Sequence, residues 1–155
     1  MDLQLTVEST DKTPGSTVYQ FLQDALKTTI REQVYALQAH VIARKLTGDV
    51  LHQRTGNLIR SLTTEVTQSG DTTVGILGVG REAPYGAVHE MGGTFNVPQS
   101  TVREHIRNGY TVREHIRRAH SATYPQRSFL ESSRNEREGD IRSAIEDTIA
   151  AAVRQ

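Results

Sequence analysis

The sequence has no cysteine and no tryptophan, and aromatic residues make up only 5% of it. The missing thiols exclude disulfides and thiolate metal sites. With so few aromatics and 35% hydrophobic residues over 155 positions, the core is thin for a free monomer, so part of the burial is expected from neighbouring subunits. A charge excess is lacking too. Lys and Arg number 18, as do Asp and Glu, which argues against a freely diffusing nucleic-acid binder but leaves room for a locally basic face. No run approaches the roughly 18 to 20 apolar residues of a membrane-spanning helix. The opening MDLQLTVEST has no basic stretch followed by an apolar one, so no secretory signal is expected, and the setting is a cytoplasm-like one or a particle packaged from it.

The residues that are present divide into periodic segments. Leu3, Leu5 and Val7 alternate with polar neighbours, as in a half-buried strand. Pro14-Gly15 breaks the chain, and Ser16 or Thr17 is placed to cap a helix beginning there. From Val18 to Leu46 apolar residues recur at spacings of three and four, including Phe21, Leu22, Leu26, Ile30, Val34, Leu37 and Val41, which predicts one long amphipathic helix with Leu22, Leu26, Ile30 and Leu37 inward. Thr55 is placed to cap a short helix. Strands are expected over 62–67 and 73–79, joined by Gln68-Ser69-Gly70-Asp71. A short helix from Pro84 stops at Gly92, and a closing helix carries Ile141, Ala144, Ile145, Ile149, Ala152 and Val153 on one stripe.

Between them lies a duplication. Thr101-Val102-Arg103-Glu104-His105-Ile106-Arg107 recurs as Thr111-Val112-Arg113-Glu114-His115-Ile116-Arg117, with Asn108-Gly109 between the copies. Asn-Gly is the strongest short hairpin signal, so a β-hairpin arm is expected over about 101–120. One face is expected to collect Arg103, His105, Arg107, Arg113, His115 and Arg117, a surface for a subunit, a partner protein or a phosphate backbone. The fold class is therefore α+β, one domain over 1–155: a long N-terminal helix and a C-terminal helix packed on a small, mainly antiparallel sheet, with a projecting hairpin.

No catalytic pattern is complete. His89-Glu90 begins a zinc-protease helix, but position 93 is Gly93 where the second histidine belongs. Ser61, His89 and Glu90 form no recognisable nucleophile elbow. Gly75, Gly78 and Gly80 are spaced as strand-end glycines and lack the Lys-Ser/Thr of a phosphate loop. His89, His105, His115 and His120 read as surface histidines before they read as metal ligands. No enzyme activity, metal or cofactor is expected.

Three segments, in order, resemble the tailed-phage virion morphogenesis (minor tail component) family. They are Arg54-Thr55-Gly56-Asn57-Leu58-Ile59-Arg60-Ser61-Leu62; Pro84-Tyr85-Gly86-Ala87-Val88-His89-Glu90-Met91-Gly92-Gly93; and Val112 to His120 followed by Pro125-Gln126-Arg127-Ser128-Phe129-Leu130. Gly86 departs from the family pattern by preceding the usual alanine, which adds flexibility to the short helix. The resemblance implies a structural protein of the phage neck, a tail-completion or head–tail joining subunit, assembled in the host cytoplasm into the virion. It implies a ring of six or twelve copies whose partners are itself and neighbouring neck, tail-terminator or connector proteins, with DNA threading the ring and no membrane. The alternative is a DNA-binding accessory protein using the Arg-rich hairpin over 101–118.

The motif residues Gly56, Leu58, Ser61, Tyr85, His89, Glu90, Gly92, Pro125, Arg127, Phe129 and Leu130 then have structural roles. Glycines permit turns, Phe129 and Leu130 lock the last helix, and Arg127 is suited to a bidentate pairing with Glu90.

Overall fold

A computed structural model describes residues 2–8, 17–48, 50–51 and 56–154. The expected caps Ser16 and Thr55 lie outside them. Helix α1 spans Thr17–His40 and buries Leu26, Ile30, Val34 and Leu37, the stripe its three-four spacing predicts. Leu22 is half-buried, while Phe21 points to solvent at 43% exposure. The helix continues through Val41–Leu46 with π-type bonding. The wider turn brings residues at i, i+4 and i+5 onto one face, so Val41, Lys45 and Leu46 are all buried.

Strands β1 (Asp2–Glu8), β2 (Leu62–Ser69) and β3 (Thr72–Val79) form an antiparallel sheet in the order β1-β3-β2. Gly70, with φ of 56°, supplies the left-handed residue of the turn between β2 and β3. Central β3 turns Thr73, Gly75 and Leu77 toward α1. Gly75 lies in mid-strand rather than at a strand end, because the helix crosses there. A Cβ on it would stand 2.5 Å from Val34 Cγ2 and 2.8 Å from Ile30 Cγ2.

Helices α2 (Asn57–Arg60) and α3 (Tyr85–Met91) flank this hairpin, and α4 spans Leu130–Val153. Helix α4 lies chiefly along α1 and touches the sheet through edge strand β1. Thr29 Oγ1 meets Thr148 Oγ1 at 2.7 Å, while His40 and Lys45 both meet Glu136, so the two helices run antiparallel. Ile149 and Val153, placed on the inward stripe by sequence, are 38% and 74% exposed. The continuous core joins Ile30, Val34, Leu37, Val41, Leu46, Leu51, Leu62, Leu77, Phe129 and Leu130.

The remaining strands build one hairpin. They are β4 (Gly93–Val97), β5 (Ser100–Val102), β6 (His105–Arg107), β7 (Tyr110–Val112), β8 (His115–Arg117) and β9 (His120–Tyr124). They pair as β4 with β9, β5 with β8 and β6 with β7, and one register runs from Gly93↔Tyr124 to Arg107↔Tyr110. Asn108 and Gly109, with φ of 52° and 80°, make the tight turn at the tip. The arm thus extends past the expected 101–120 on both sides, over 93–124, because Gly93-Thr94-Phe95 and Thr123-Tyr124 continue the ladder. At about 3.3 Å per residue it reaches up to roughly 50 Å. None of its residues is buried.

Candidate functional site

Two features occupy the positions that the sequence motifs single out: a carboxylate knot at the base of the arm, and the arm itself.

The knot begins with α3. Its seven residues present Glu90 inward, 1% exposed, toward the start of α4. The Glu90 carboxylate accepts from the amides of Phe129 at 2.7 Å, Leu130 at 2.9 Å and Glu131 at 2.9 Å, and from Ser128 Oγ at 2.8 Å. These are amides of the first turn, which have no partner inside a helix, and a negative charge beside them also meets the positive end of the helix dipole. A buried carboxylate is costly unless its lone pairs are filled, and four donors fill them here. Glu90 is therefore a remote cap for α4.

The pairing of Arg127 with Glu90 does not form. The carboxylate is occupied by four other donors, and Arg127 is exposed and contributes its backbone amide to the His89 carbonyl at 2.7 Å. Its guanidinium acts on His89 instead. Burial first, and then the Arg127 charge, lower the His89 pKa below its ordinary 6.5. Tyr85 packs edge-on against the His89 ring with centroids 6.2 Å apart.

The other motif residues close around the knot. Gly56, with φ of 71°, starts α2, and Ser61 Oγ donates to the Leu58 carbonyl at 2.8 Å. The Ser61 carbonyl accepts from the Gly80 amide at 2.6 Å. Gly86 is buried, and a Cβ there would lie 2.9 Å from Val79 Cγ1 and 3.0 Å from Leu58 Cδ1. It permits close packing, which corrects the expectation of added flexibility. At Gly92 a Cβ would meet the Gln126 backbone at 2.6 Å, so the segment begun by exposed Pro125 passes directly over that turn. Phe129 and Leu130 are fully buried in the core. Ser61 is bonded to Leu58 and the Glu90 carboxylate is committed to α4. Among the described residues no three His, Asp or Glu side chains gather to hold a metal ion.

The arm departs from its expected electrostatics. His105 and Arg107 stand opposite Val112 and Tyr110, and His115 and Arg117 stand opposite Val102 and Ser100. Carried across the intervening residues, the same register sets Arg103 opposite Glu114 and Arg113 opposite Glu104. Cations of one strand therefore face apolar, hydroxyl or acidic residues of the other, rather than each other on one crowded face. The physical cause is the turn at 108–109, which sets the register and with it every cross-strand pair.

The ladder also shows a five-residue period that the ten-residue duplication masks. Two-residue breaks fall at 98–99, 103–104, 113–114 and 118–119, in step with the tip turn at 108–109. After three of these positions a histidine bonds the carbonyl two residues back: His105 to Arg103, His115 to Arg113, and His120 to Arg118. Val97, Val102 and Val112 pair across the ladder with His120, His115 and His105.

A third feature had no signal in the motifs. Glu136 of α4 takes Lys45 Nζ at 2.5 Å and His40 Nε2 at 2.9 Å, tying α4 to the π-helical end of α1. Sequence gives no hint of a pair 91 residues apart.

Among the described residues no helix is long and apolar enough to cross a membrane. The profile of the phage virion morphogenesis family matches residues 20–153. The chain belongs to that family. No curated protein and no solved structure matches it.

Proposed function

We propose that this member of the phage virion morphogenesis family is a structural subunit of the phage neck, acting in tail completion or head–tail joining as a closed ring of six or twelve copies. The observation that carries the reading is the arm: 32 residues, Gly93 to Tyr124, form a hydrogen-bonded ladder with no buried residue. Such a ladder gains little from its own chain, and an exposed two-stranded ribbon is marginal in water, so its use lies in contacts with other molecules. The residues offered to those contacts are Arg103, His105, Arg107, Arg113, His115 and Arg117, all exposed. The motif residues meanwhile serve packing and capping.

Particle imaging together with mass measurement of the purified chain tests this. The expected result is a ring of six or twelve copies at the head–tail joint. A chain absent from mature particles, or present on the capsid shell, overturns it.

A second reading uses the same arm on DNA. Five arginines against two glutamates give it a net charge of +3 within a chain of net zero. Retention of duplex DNA by the isolated chain, falling steeply with salt, favours this reading.

A further inference from the structure

The arm's excess charge has a counterpart of equal size. Helix α4 carries Glu131, Glu136, Glu138, Asp140, Glu146 and Asp147 against three arginines, a net charge of −3, so the rest of the chain balances without either element. Of these acids Glu136 is bound to Lys45 and His40, Asp140 to Arg137 and Glu138 to Arg142. Glu146 and Asp147 are exposed and accept none of the ion pairs among the described residues. They stand beside exposed Ile149 and Val153, and Glu146, Ile149 and Val153 succeed one another at i, i+3 and i+7 on one outward face. The arm carries matching chemistry. Ile106, 77% exposed, pairs with Thr111, two residues from Arg113, and Tyr110 and Ile116 are 78% and 63% exposed.

We infer that the arm of one copy docks on the outward face of α4 in the next copy, its arginines against Glu146 and Asp147 and its exposed apolar side chains against Ile149 and Val153. Within one chain no hydrogen bond or ion pair among the described residues joins arm to α4. A basic and an acidic surface, each with unpaired apolar area, that do not meet inside one subunit can meet between two. Opposite charge fixes orientation and partner choice, and the exposed apolar side chains, Tyr110 foremost, supply binding energy. A contact between two different surfaces of identical copies is heterologous, and it closes into a ring when the rotation permits. The inference rests on the ring reading above and assigns the surfaces that make the ring.

The test uses the full chain in three charge-reversed forms: Arg113→Glu with Arg117→Glu; Glu146→Lys with Asp147→Lys; and all four together. The concentration at which each assembles is read by mass photometry at low and moderate salt, and circular dichroism verifies that each is folded. Each two-site form is expected to need at least about tenfold more protein to assemble than the parent, and the four-site form to return to within about threefold of it. Assembly of the parent should weaken as salt rises. If the two-site forms assemble as the parent does, the ring stands on other surfaces and the docking is wrong. The docking is also wrong if the four-site form fails to recover. Loss of duplex-DNA retention on arm reversal with assembly unchanged assigns the arm to nucleic acid and overturns it too. A parent chain that stays monomeric at every concentration overturns the ring reading and the docking together.

Discussion

The Phe129 amide donates to the Glu90 carboxylate at 2.7 Å, across 39 residues of chain, and joins the base of the arm to the first turn of α4. The arm, 93–124, lies within the stretch between these two ends, so the knot anchors both of its strands. Replacing Glu90 with Ala leaves three first-turn amides and the Ser128 hydroxyl without their acceptor. At about 1–3 kcal/mol for each buried unsatisfied group, the two fully buried amides, those of Phe129 and Leu130, are alone expected to cost on the order of 2–6 kcal/mol. Glu90→Gln keeps one acceptor oxygen and should cost less, about 2–3 kcal/mol. Urea unfolding of both variants measures this, and a change under about 0.5 kcal/mol for the alanine form would show that Glu90 does not cap α4.

Arg127→Ala should behave quite differently. The residue gives the knot only its backbone amide, which alanine retains, so stability should stay within about 0.5 kcal/mol of the parent. The His89 pKa should rise, since a nearby positive charge is gone. An NMR titration of the His89 ring reads this, and an unmoved midpoint would show that burial alone sets it.

The helix–sheet contact is tested at two depths. Leu26, 3% exposed, should cost about 2–5 kcal/mol on truncation to alanine, whereas Phe21 on the outward face should cost well under that. Gly75→Ala should destabilise by about 1–3 kcal/mol, because its methyl group meets Val34 and Ile30 where α1 crosses β3. Equal effects at Leu26 and Phe21 would mean that the helix is rotated from the position described.

Acid should weaken the fold in two steps. His89 has a lowered pKa, so on acidification the unfolded chain binds its proton first. Stability then declines as pH falls below about 6.5 and levels off beneath the folded value. Glu136 is held below its ordinary 4.5, first by the Lys45 hydrogen bond and then by that of His40. Its contribution is complete above 4.5 and is lost as pH falls through the lower folded value. Thermal melts across pH 3 to 8 should show the lower step vanish in Glu136→Gln and the upper step shrink in His89→Asn.

The arm should open long before the body does. In the free subunit, amides over 93–124 are expected to exchange fast while those of α1 and β3 are protected, and assembly should slow the arm. Removing Thr101 to Arg117 should leave a folded subunit that no longer joins heads to tails. Arm protection in an isolated monomer equal to that of α1 would place the arm within the core's cooperative unit.

Much of this was legible in consecutive residues. The three-four spacing of Leu26, Ile30, Val34 and Leu37 marks a helix and its buried side, and Asn108-Gly109 marks a hairpin tip, because periodicity and turn chemistry act within a few residues of chain. Those signals determined the α+β class, the long helix, the β2–β3 hairpin and the existence of the arm. Tertiary structure decided what each motif is for. His89-Glu90 looks like the start of a catalytic helix until α4 is placed with its first turn over the carboxylate. The partner of Arg127, the role of Gly86, the outward turn of Ile149 and Val153, and the Lys45–Glu136 tie depend on which surfaces meet across tens of residues. A residue type does not carry that information, since one carboxylate serves equally as ion-pair partner, base or helix cap. The donors that the assembled chain brings within 3 Å select among them.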